Sequence, residues 1–425
     1  MLRRLVLRDF RNFEKLDVEV PEGGLVIVGE NGHGKTNLLE AISYLGLFRS
    51  VRGSRDVDAI RFGAPAFHVR AELVDSQMSD SVSVGYDRAT KRKKAIVYGV
   101  EQPRLSTALG ALPSVCFSPV DVALVAGGPA ERRHFLDVTL ALTDSRYLLA
   151  LQQYRAALRQ RNAALRTAQR AGARAGGAHD AQVSVWEPTL AQHGATLVAL
   201  RRSWCAIQSV RFTSLCEAIG ERLRVTLRYD GTQLPGSSSA AADVDSNGYR
   251  NTSAFDKNSA HDGSPELARA QGRAPRSASA HDTVPDDARA LQRDYRDIYT
   301  AMFAQQRANE LRRGITLVGP HRDDLQLLLG TRDLRTFGSN GQQRTAAIAL
   351  RMLELATRHE ALNEPPLLLL DDPFAELDIK RSARILALLE EVGVGQVILA
   401  VPRVEDIPAA FTRLERRTMV DGTLQ

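Results

Sequence analysis

The stretch Gly29-Glu30-Asn31-Gly32-His33-Gly34-Lys35-Thr36 fits the phosphate-loop pattern G-x-x-x-x-G-K-[ST] in full. It constrains the fold through what must flank it. Leu25-Val26-Ile27-Val28 is a short apolar run suited to a buried strand, and residues 36–45 carry apolar side chains at helical spacing. Strand, glycine loop and helix let backbone N–H groups turn inward around a β-phosphate, and the helix N-terminus adds its dipole. In that arrangement Gly29, Glu30, Asn31, Gly32, His33, Gly34 and Asn37 cradle the nucleotide. Lys35 reaches the β- and γ-phosphates, and the Thr36 hydroxyl holds Mg2+. Lysine is scarce here, seven of 56 basic residues, so Lys35 does not come from an abundant pool.

The 425 residues, 44% of them hydrophobic, suffice for one large or two moderate globular domains. No run of about eighteen apolar residues suggests a membrane span. The N-terminus begins with basic residues and is broken by charges too soon for a signal peptide. Cys116, Cys205 and Cys216 lack paired spacing, which suits buried free thiols in a reducing cytoplasm. The net charge of +6 is compatible with nucleic acid but does not establish it. That charge is uneven. Residues 151–228 hold twelve arginines against four acids, a local excess larger than the net charge of the whole chain. This is the footprint of a polyanion binder, or else a solvated helical face.

Residues 2–8 and 16–20 read as strands. Three alternating runs, 67–74, 81–86 and 94–100, predict an antiparallel sheet. Lys91-Arg92-Lys93-Lys94 at one join is either a phosphate contact or a charged turn that keeps a hairpin soluble. A strand over 114–119 ends at Pro119, a short helix stops at Gly127-Gly128, and Pro129 opens a longer helix at a favoured position. Residues 145–169 and 185–220 predict two long helices, a possible antiparallel hairpin. Low-complexity 231–288 reads as a disordered insert. After it come a helix over 289–313, a strand over 325–329, a helix to about His359, a buried strand into Asp371, a helix over 382–391, a strand over 396–401 and a basic tail. The expected division is 1–120 and 289–425 as two parts of an ATPase head, 121–230 as a helical lobe, and 231–288 as the insert.

An apolar strand ending in Asp371-Asp372 supplies what a site opposite a phosphate loop requires. Asp371 would accept the metal's coordinated waters, and Asp372 would orient or deprotonate an attacking water. Ser339-Asn340-Gly341-Gln342-Gln343 offers a hydroxyl and small residues at a helix N-terminus, able to approach a γ-phosphate closely. This segment is similar to the signature loop of ABC-type ATPases, which binds ATP held by the partner subunit. That likeness makes Ser339, Gly341 and Gln342 nucleotide-binding residues for a second copy. Ala375-Glu376-Leu377-Asp378 matches the D-loop of that superfamily.

Within the superfamily the chain resembles the RecF family of bacterial DNA replication and repair proteins along nearly its whole length. The carrying residues are Leu7-Arg8-Asp9-Phe10-Arg11-Asn12-Phe13, the 29–37 loop, and Gly127-Gly128-Pro129 with Arg132-Arg133-x-Phe135-Leu136-Asp137. Gly319-Pro320-His321-Arg322-Asp323-Asp324, Gly341-Gln342-Gln343-Arg344-Thr345, and Asp371-Asp372 with Glu376-Leu377-Asp378 complete the set. The resemblance implies an α/β fold: an ABC-type ATPase head, with a P-loop NTPase core and an antiparallel β subdomain, plus a helical second lobe. It implies an ATP-dependent homodimer with Mg2+ that binds single-stranded, gapped or junction DNA, and weak hydrolysis that promotes release. It also implies work with RecO and RecR in recombinase loading and SOS induction, in the cytoplasm and without a membrane.

The chain departs from the family pattern in places. Val120 stands where an acid usually follows the proline, and Asp121 comes one residue later. Ala375 replaces a common Ser, Ala400-Val401-Pro402 offers no switch residue, and no glutamine marks a Q-loop. These departures bear on hydrolysis more than on ATP binding. Residues 319–324 receive no derivable role, and His321 reads as a surface or packing residue rather than a metal ligand. A transporter ATPase would need an LSGGQ-like loop and a switch histidine, and would carry no basic helical hairpin. A chromosome-structure ATPase would need long heptads or a C-x-x-C hook. The sequence disagrees with both.

Overall fold

The computed structural model describes residues 1–75, 78–172, 177–232, 286–375, 377–393 and 395–425. The expected disordered insert, 231–288, lies almost wholly outside the described residues. The core sheet has six strands, in the order Thr423–Leu424, Glu415–Val420, Gly24–Val28, Val397–Val401, Leu367–Asp371 and Ser114–Phe117. Its inner pairings are parallel. Both faces of this sheet are covered. Val26, Leu368, Leu370, Val397, Leu399 and Val401 face one core, while Leu25, Ile27, Leu367, Leu369, Ile398 and Ala400 face the other. Burial on two sides is why these strands read as continuous apolar runs rather than alternating ones.

On one side lie the helix Lys35–Leu47 and a second, antiparallel sheet. Its order is Phe13–Glu19, Leu2–Phe10, Ala66–Asp75, Met78–Asp87, Arg92–Val97, Val100–Glu101. The predicted antiparallel sheet therefore exists and also takes in the first two strands. Phe10, Tyr44 and Phe67 join helix to sheet edge-on, with ring centroids 5.3 to 6.0 Å apart.

On the other side lies the helix Asn340–Leu362, and beyond it the lobe. The long helices Ser145–Arg170 and Glu187–Ile219 pack together as the sequence predicts, with a short helix, Ala178–Ser184, before the second. Gly220 ends the second arm at φ 118, a left-handed cap that suits glycine. The helix Asp286–Arg313 packs along both arms. A three-stranded sheet, Arg332–Asp333, Asp324–Leu329, Val225–Asp230, completes the lobe. Thus 289–333, read from sequence as part of the head, packs with the lobe.

Two expectations change. The basic tail is not a tail: Glu415–Val420 is a core strand beside the phosphate-loop strand, and Arg416 and Arg417 hide it from an apolar-run search. The arginine excess of 151–228 is also not all surface. Arg161 is fully buried between Glu187 and Glu310, and Arg201 is buried against Asp137 and Tyr147. Among the described residues, no helix is long and apolar enough to cross a membrane.

Candidate functional site

The phosphate loop leaves the strand Gly24–Val28 and enters the helix Lys35–Leu47. Gly32 and Gly34 sit at φ 92 and 112, where side chains are strained. A Cβ on Gly34 would lie 2.5 Å from the Asn12 amide, and one on Gly29 would lie 2.4 Å from the Met419 carbonyl. Lys35 curls over the loop and donates to the carbonyls of Gly29 and, at 2.9 Å, Glu30. Burial lowers its pKa, while Asp371 and Asp372 oppose that shift.

The two proposed metal ligands meet across the fold. Thr36 Oγ1 donates to Asp371 Oδ1 at 3.0 Å. Burial raises the Asp371 pKa, and the Thr36 hydrogen bond pulls it back. One hydroxyl beside one carboxylate suits Mg2+, which takes few protein oxygens and fills its shell with phosphate and water. Among the described residues there is no cluster of three or more His, Cys, Asp or Glu that could cage a metal alone. The neighbouring Asp372 adopts φ 46, and its N–H donates to Ala400 O at 2.9 Å. This left-handed turn directly after the strand takes its carboxylate out of the strand's alternation.

The signature loop stands apart. Ser339 caps the helix Asn340–Leu362 by accepting from Gln342 N at 3.3 Å, and Gln342 Oε1 accepts from Ser339 N at 2.9 Å. Gln342 Nε2 donates to Glu221 of the lobe at 3.1 Å. Gly341 O accepts from Arg381 at 3.3 Å. Ser339 itself is exposed. Among the described residues, these contacts go to the lobe and to the helix Ile379–Val392 rather than to the phosphate loop. Asp378 of the D-loop caps that helix by accepting from Arg381 N at 2.9 Å. Glu376 lies outside the described residues.

Sequence reading missed what braces the loop. Asn12 Nδ2 donates to His33 O at 3.1 Å, and Asn12 Oδ1 accepts from Asn37 at 2.8 Å. From the opposite end of the chain, Gly422 N donates to His33 O at 3.0 Å and Asp421 N to His33 Nδ1 at 2.8 Å. His33 therefore faces the C-terminal hairpin. Buried Glu40 holds Arg11 through two bonds of 2.6 and 3.0 Å.

A sequence model of the RecF/RecN/SMC N terminal domain matches residues 1–419. The DNA replication and repair protein RecF of Paenarthrobacter aurescens (strain TC1) is 34% identical, over 99% of this chain and 98% of that one. The protein of the same name from Frankia alni (strain DSM 45986 / CECT 9034 / ACN14a) is 35% identical, over 97% and 96%. The chain belongs to the RecF family. The structure of the recombination mediator protein RecF-ATPrS in the RecFOR pathway superposes with a TM-score of 0.76 at 24% identity, covering 100% of this chain and 97% of that one. The expected fold class, an ABC-type ATPase head with a helical second lobe, is the fold observed.

The RecF-like segment Gly319–Asp324, without a role in the sequence, acquires one as a fastening. Arg132 grips Asp324 through two bonds of 2.7 and 2.9 Å. Arg133 donates to Asp323 O, Tyr229 to Asp323 Oδ2, and Arg201 to Pro320 O. The loop thereby ties the helix Pro129–Ala141 to the lobe. Gly319, at φ 125, leaves room for Tyr154, whose hydroxyl lies 2.6 Å from His321 Nδ1. Burial lowers the His321 pKa to about 4, so the imidazole is a neutral packing group.

The basic run 91–94 is likewise not four exposed cations at a tip. Lys93 turns inward to Asp56 at 2.6 Å and to Phe48 O, over the ring of Tyr44.

Proposed function

We propose that this RecF-family chain binds ATP with Mg2+ and uses it to hold two copies together on DNA during replication and repair. The observation that carries the reading is the Thr36–Asp371 contact. It sets a phosphate-loop hydroxyl and a strand-end carboxylate at one point, 335 residues apart in sequence. Residues 29–37 cradle the phosphates, and Lys35 supplies positive charge as negative charge grows between the β- and γ-phosphates. Thr36 and Asp371 hold the metal, which supplies further neutralisation of the phosphates. Asp372 orients the attacking water and can take its proton.

Ser339, Gly341 and Gln342 act on the nucleotide of the other copy. Support for this comes from the exposure of Ser339 and from where the other two bond among the described residues: Gln342 to Glu221 of the lobe and Gly341 to Arg381, rather than to their own phosphate loop. Tying closure to nucleotide makes ATP a fastener for the dimer rather than fuel for rapid turnover.

For DNA, the structure narrows the arginines to consider. Arg159, Arg166 and Arg170 are exposed, and their spacing of seven and four puts them on one stripe of the helix Ser145–Arg170. Several others already have partners: Arg155 pairs with Asp137 and Arg211 with Glu360. Family membership supports cytoplasmic work with RecO and RecR on single-stranded, gapped or junction DNA, leading to recombinase loading and SOS induction.

The test is DNA binding by the unaltered chain and by Asp372→Asn, with and without ATP, on single-stranded, duplex and gapped substrates. Asp372→Asn should trap the ATP-bound dimer and tighten ATP-dependent DNA binding. ATP turnover equal to that of the unaltered chain would remove Asp372 from its assigned role.

A further inference from the structure

The strand Ser114–Phe117 runs parallel to Leu367–Asp371, with Phe117 beside Leu370. Ser118 follows directly after the end of the first strand, and Asp371 is the residue after Leu370 on the second. The Ser118 hydroxyl lies 3.5 Å from Asp371 Oδ2, while Thr36 donates to Oδ1 at 3.0 Å. Ser118 thus attends the carboxylate oxygen that Thr36 leaves open. No glutamine of a Q-loop stands at this point in the chain; a serine does, with an acid three residues further on.

That acid, Asp121, links the site to the signature helix. Its Oδ2 accepts from Ser118 N at 2.8 Å, and its Oδ1 accepts from Arg351 at 2.6 Å. Arg351 also donates to Glu354 at 2.6 Å, and Glu354 pairs with Arg358. Arg358 in turn donates to Ser114 O, at the start of the same strand. Asp121, Glu354 and Arg358 are buried. The helix Asn340–Leu362 is therefore fastened at both ends of the strand. Buried ion pairs resist separation, because either partner alone would remain uncompensated in a low-dielectric site. These bonds join strand, turn and helix, and Ser339 stands twelve helical residues, about 18 Å, beyond Arg351.

We propose that Ser118 is a positioning residue for Asp371, and that the Ser118–Asp121–Arg351 link holds the signature loop in register with the metal-binding carboxylate. Were Thr36 and Asp371 to hold a cation, the bond open to Ser118 would change, and the link would carry that change to Ser339. The part concerning Ser339 rests on the two-copy reading given above. Asp121 caps the turn with one oxygen and keeps the other for Arg351, while Val120 is exposed.

The experiment uses the full chain and the variants Ser118→Ala, Ser118→Thr, Asp121→Asn, Arg351→Gln and the Asp121→Asn/Arg351→Gln double. It reads the affinity for a fluorescent ATP analogue across Mg2+ concentrations, the dimer fraction by light scattering with ATP, and the thermal midpoint without nucleotide. Ser118→Ala should lower Mg2+-dependent affinity by about tenfold, the scale of one hydrogen bond to a charged group. It should leave Mg2+-free binding and the midpoint unchanged, and Ser118→Thr should restore the loss. Asp121→Asn and Arg351→Gln should each weaken ATP-dependent dimerisation by about tenfold, and the double no further. Mg2+ dependence in Ser118→Ala equal to that of the unaltered chain would overturn the role of Ser118. Additive losses in the double variant would overturn the link. An unaltered chain that stays monomeric with ATP would sink the two-copy reading, and the Mg2+ arm would still decide Ser118.

Discussion

Replacing Asn12 tests whether the phosphate loop depends on support from outside its motif. Asn12 donates to His33 O at 3.1 Å and accepts from Asn37 at 2.8 Å, so Asn12→Ala removes two hydrogen bonds that straddle the loop. Both lie at an exposed edge, where each is worth about 0.5 kcal/mol net. The loss of about 1 kcal/mol should weaken nucleotide binding about fivefold. The effect falls on the loop rather than on the core, so the thermal midpoint without nucleotide should barely move. Asn12→Asp separates the two bonds. It keeps an acceptor for Asn37, but faces the His33 carbonyl with a carboxylate and brings negative charge toward bound phosphates. It should cost about 1 kcal/mol more than alanine at low salt. Equilibrium titration with a fluorescent ATP analogue reads both variants. Affinities within twofold of the unaltered chain, in either variant, would refute the claim that Asn12 holds the loop.

Ser339→Arg should leave nucleotide affinity unchanged and abolish ATP-dependent dimers in light scattering, since Ser339 is exposed away from its own phosphate loop; persistent dimers would count against action in trans. Neutralising Arg159, Arg166 and Arg170 together should reduce the slope of log affinity for duplex DNA against log salt by about 2 to 3; an unchanged slope would move the DNA contact elsewhere. His321 has a pKa of about 4 in the fold, against roughly 6.5 when unfolded. Between those values the unfolded chain binds a proton that the fold refuses, so stability falls as pH drops through this window, by up to about 3 kcal/mol. Urea midpoints from pH 7 to pH 4 should decline less steeply in His321→Gln, and parallel declines would show that another group dominates.

The sequence made the phosphate loop, the acidic strand and the two lobe arms legible, because each announces itself locally. The apolar run Leu367–Leu370 stops at paired acids, and the arms carry long helical periodicity. What stayed hidden depends on approach between distant segments. Asn12 and Gly422 reach the same carbonyl of His33 from opposite ends of the chain, and no local pattern says so. Arginine count proved a poor guide to surface charge, since Arg161 and Arg201 spend their charge inside the lobe. The strand Glu415–Val420 was masked because Arg416 and Arg417 interrupt its hydrophobic signal. The segment Gly319–Asp324 was conspicuous as a motif, yet its work is done through Arg132, Arg133, Arg201 and Tyr229, which only tertiary structure brings together.

The order of the core sheet has a consequence for biogenesis. The phosphate-loop strand is flanked on one side by Val397–Val401 and on the other by Glu415–Val420. While the chain is being translated, residues 24–28 must wait for neighbours made nearly four hundred positions later. Both edges of that apolar strand stay unpaired in the meantime, a state that invites wrong pairings and calls for protection. The carboxylate partner of Thr36 and the hairpin that steadies His33 arrive in the same late stretch. A nascent chain halted before residue 371 would carry the whole phosphate-loop motif and still lack a nucleotide site. On the proposed reading, competence to hold ATP would thus arise as one late event in synthesis, which would keep half-made chains out of the proposed two-copy complex.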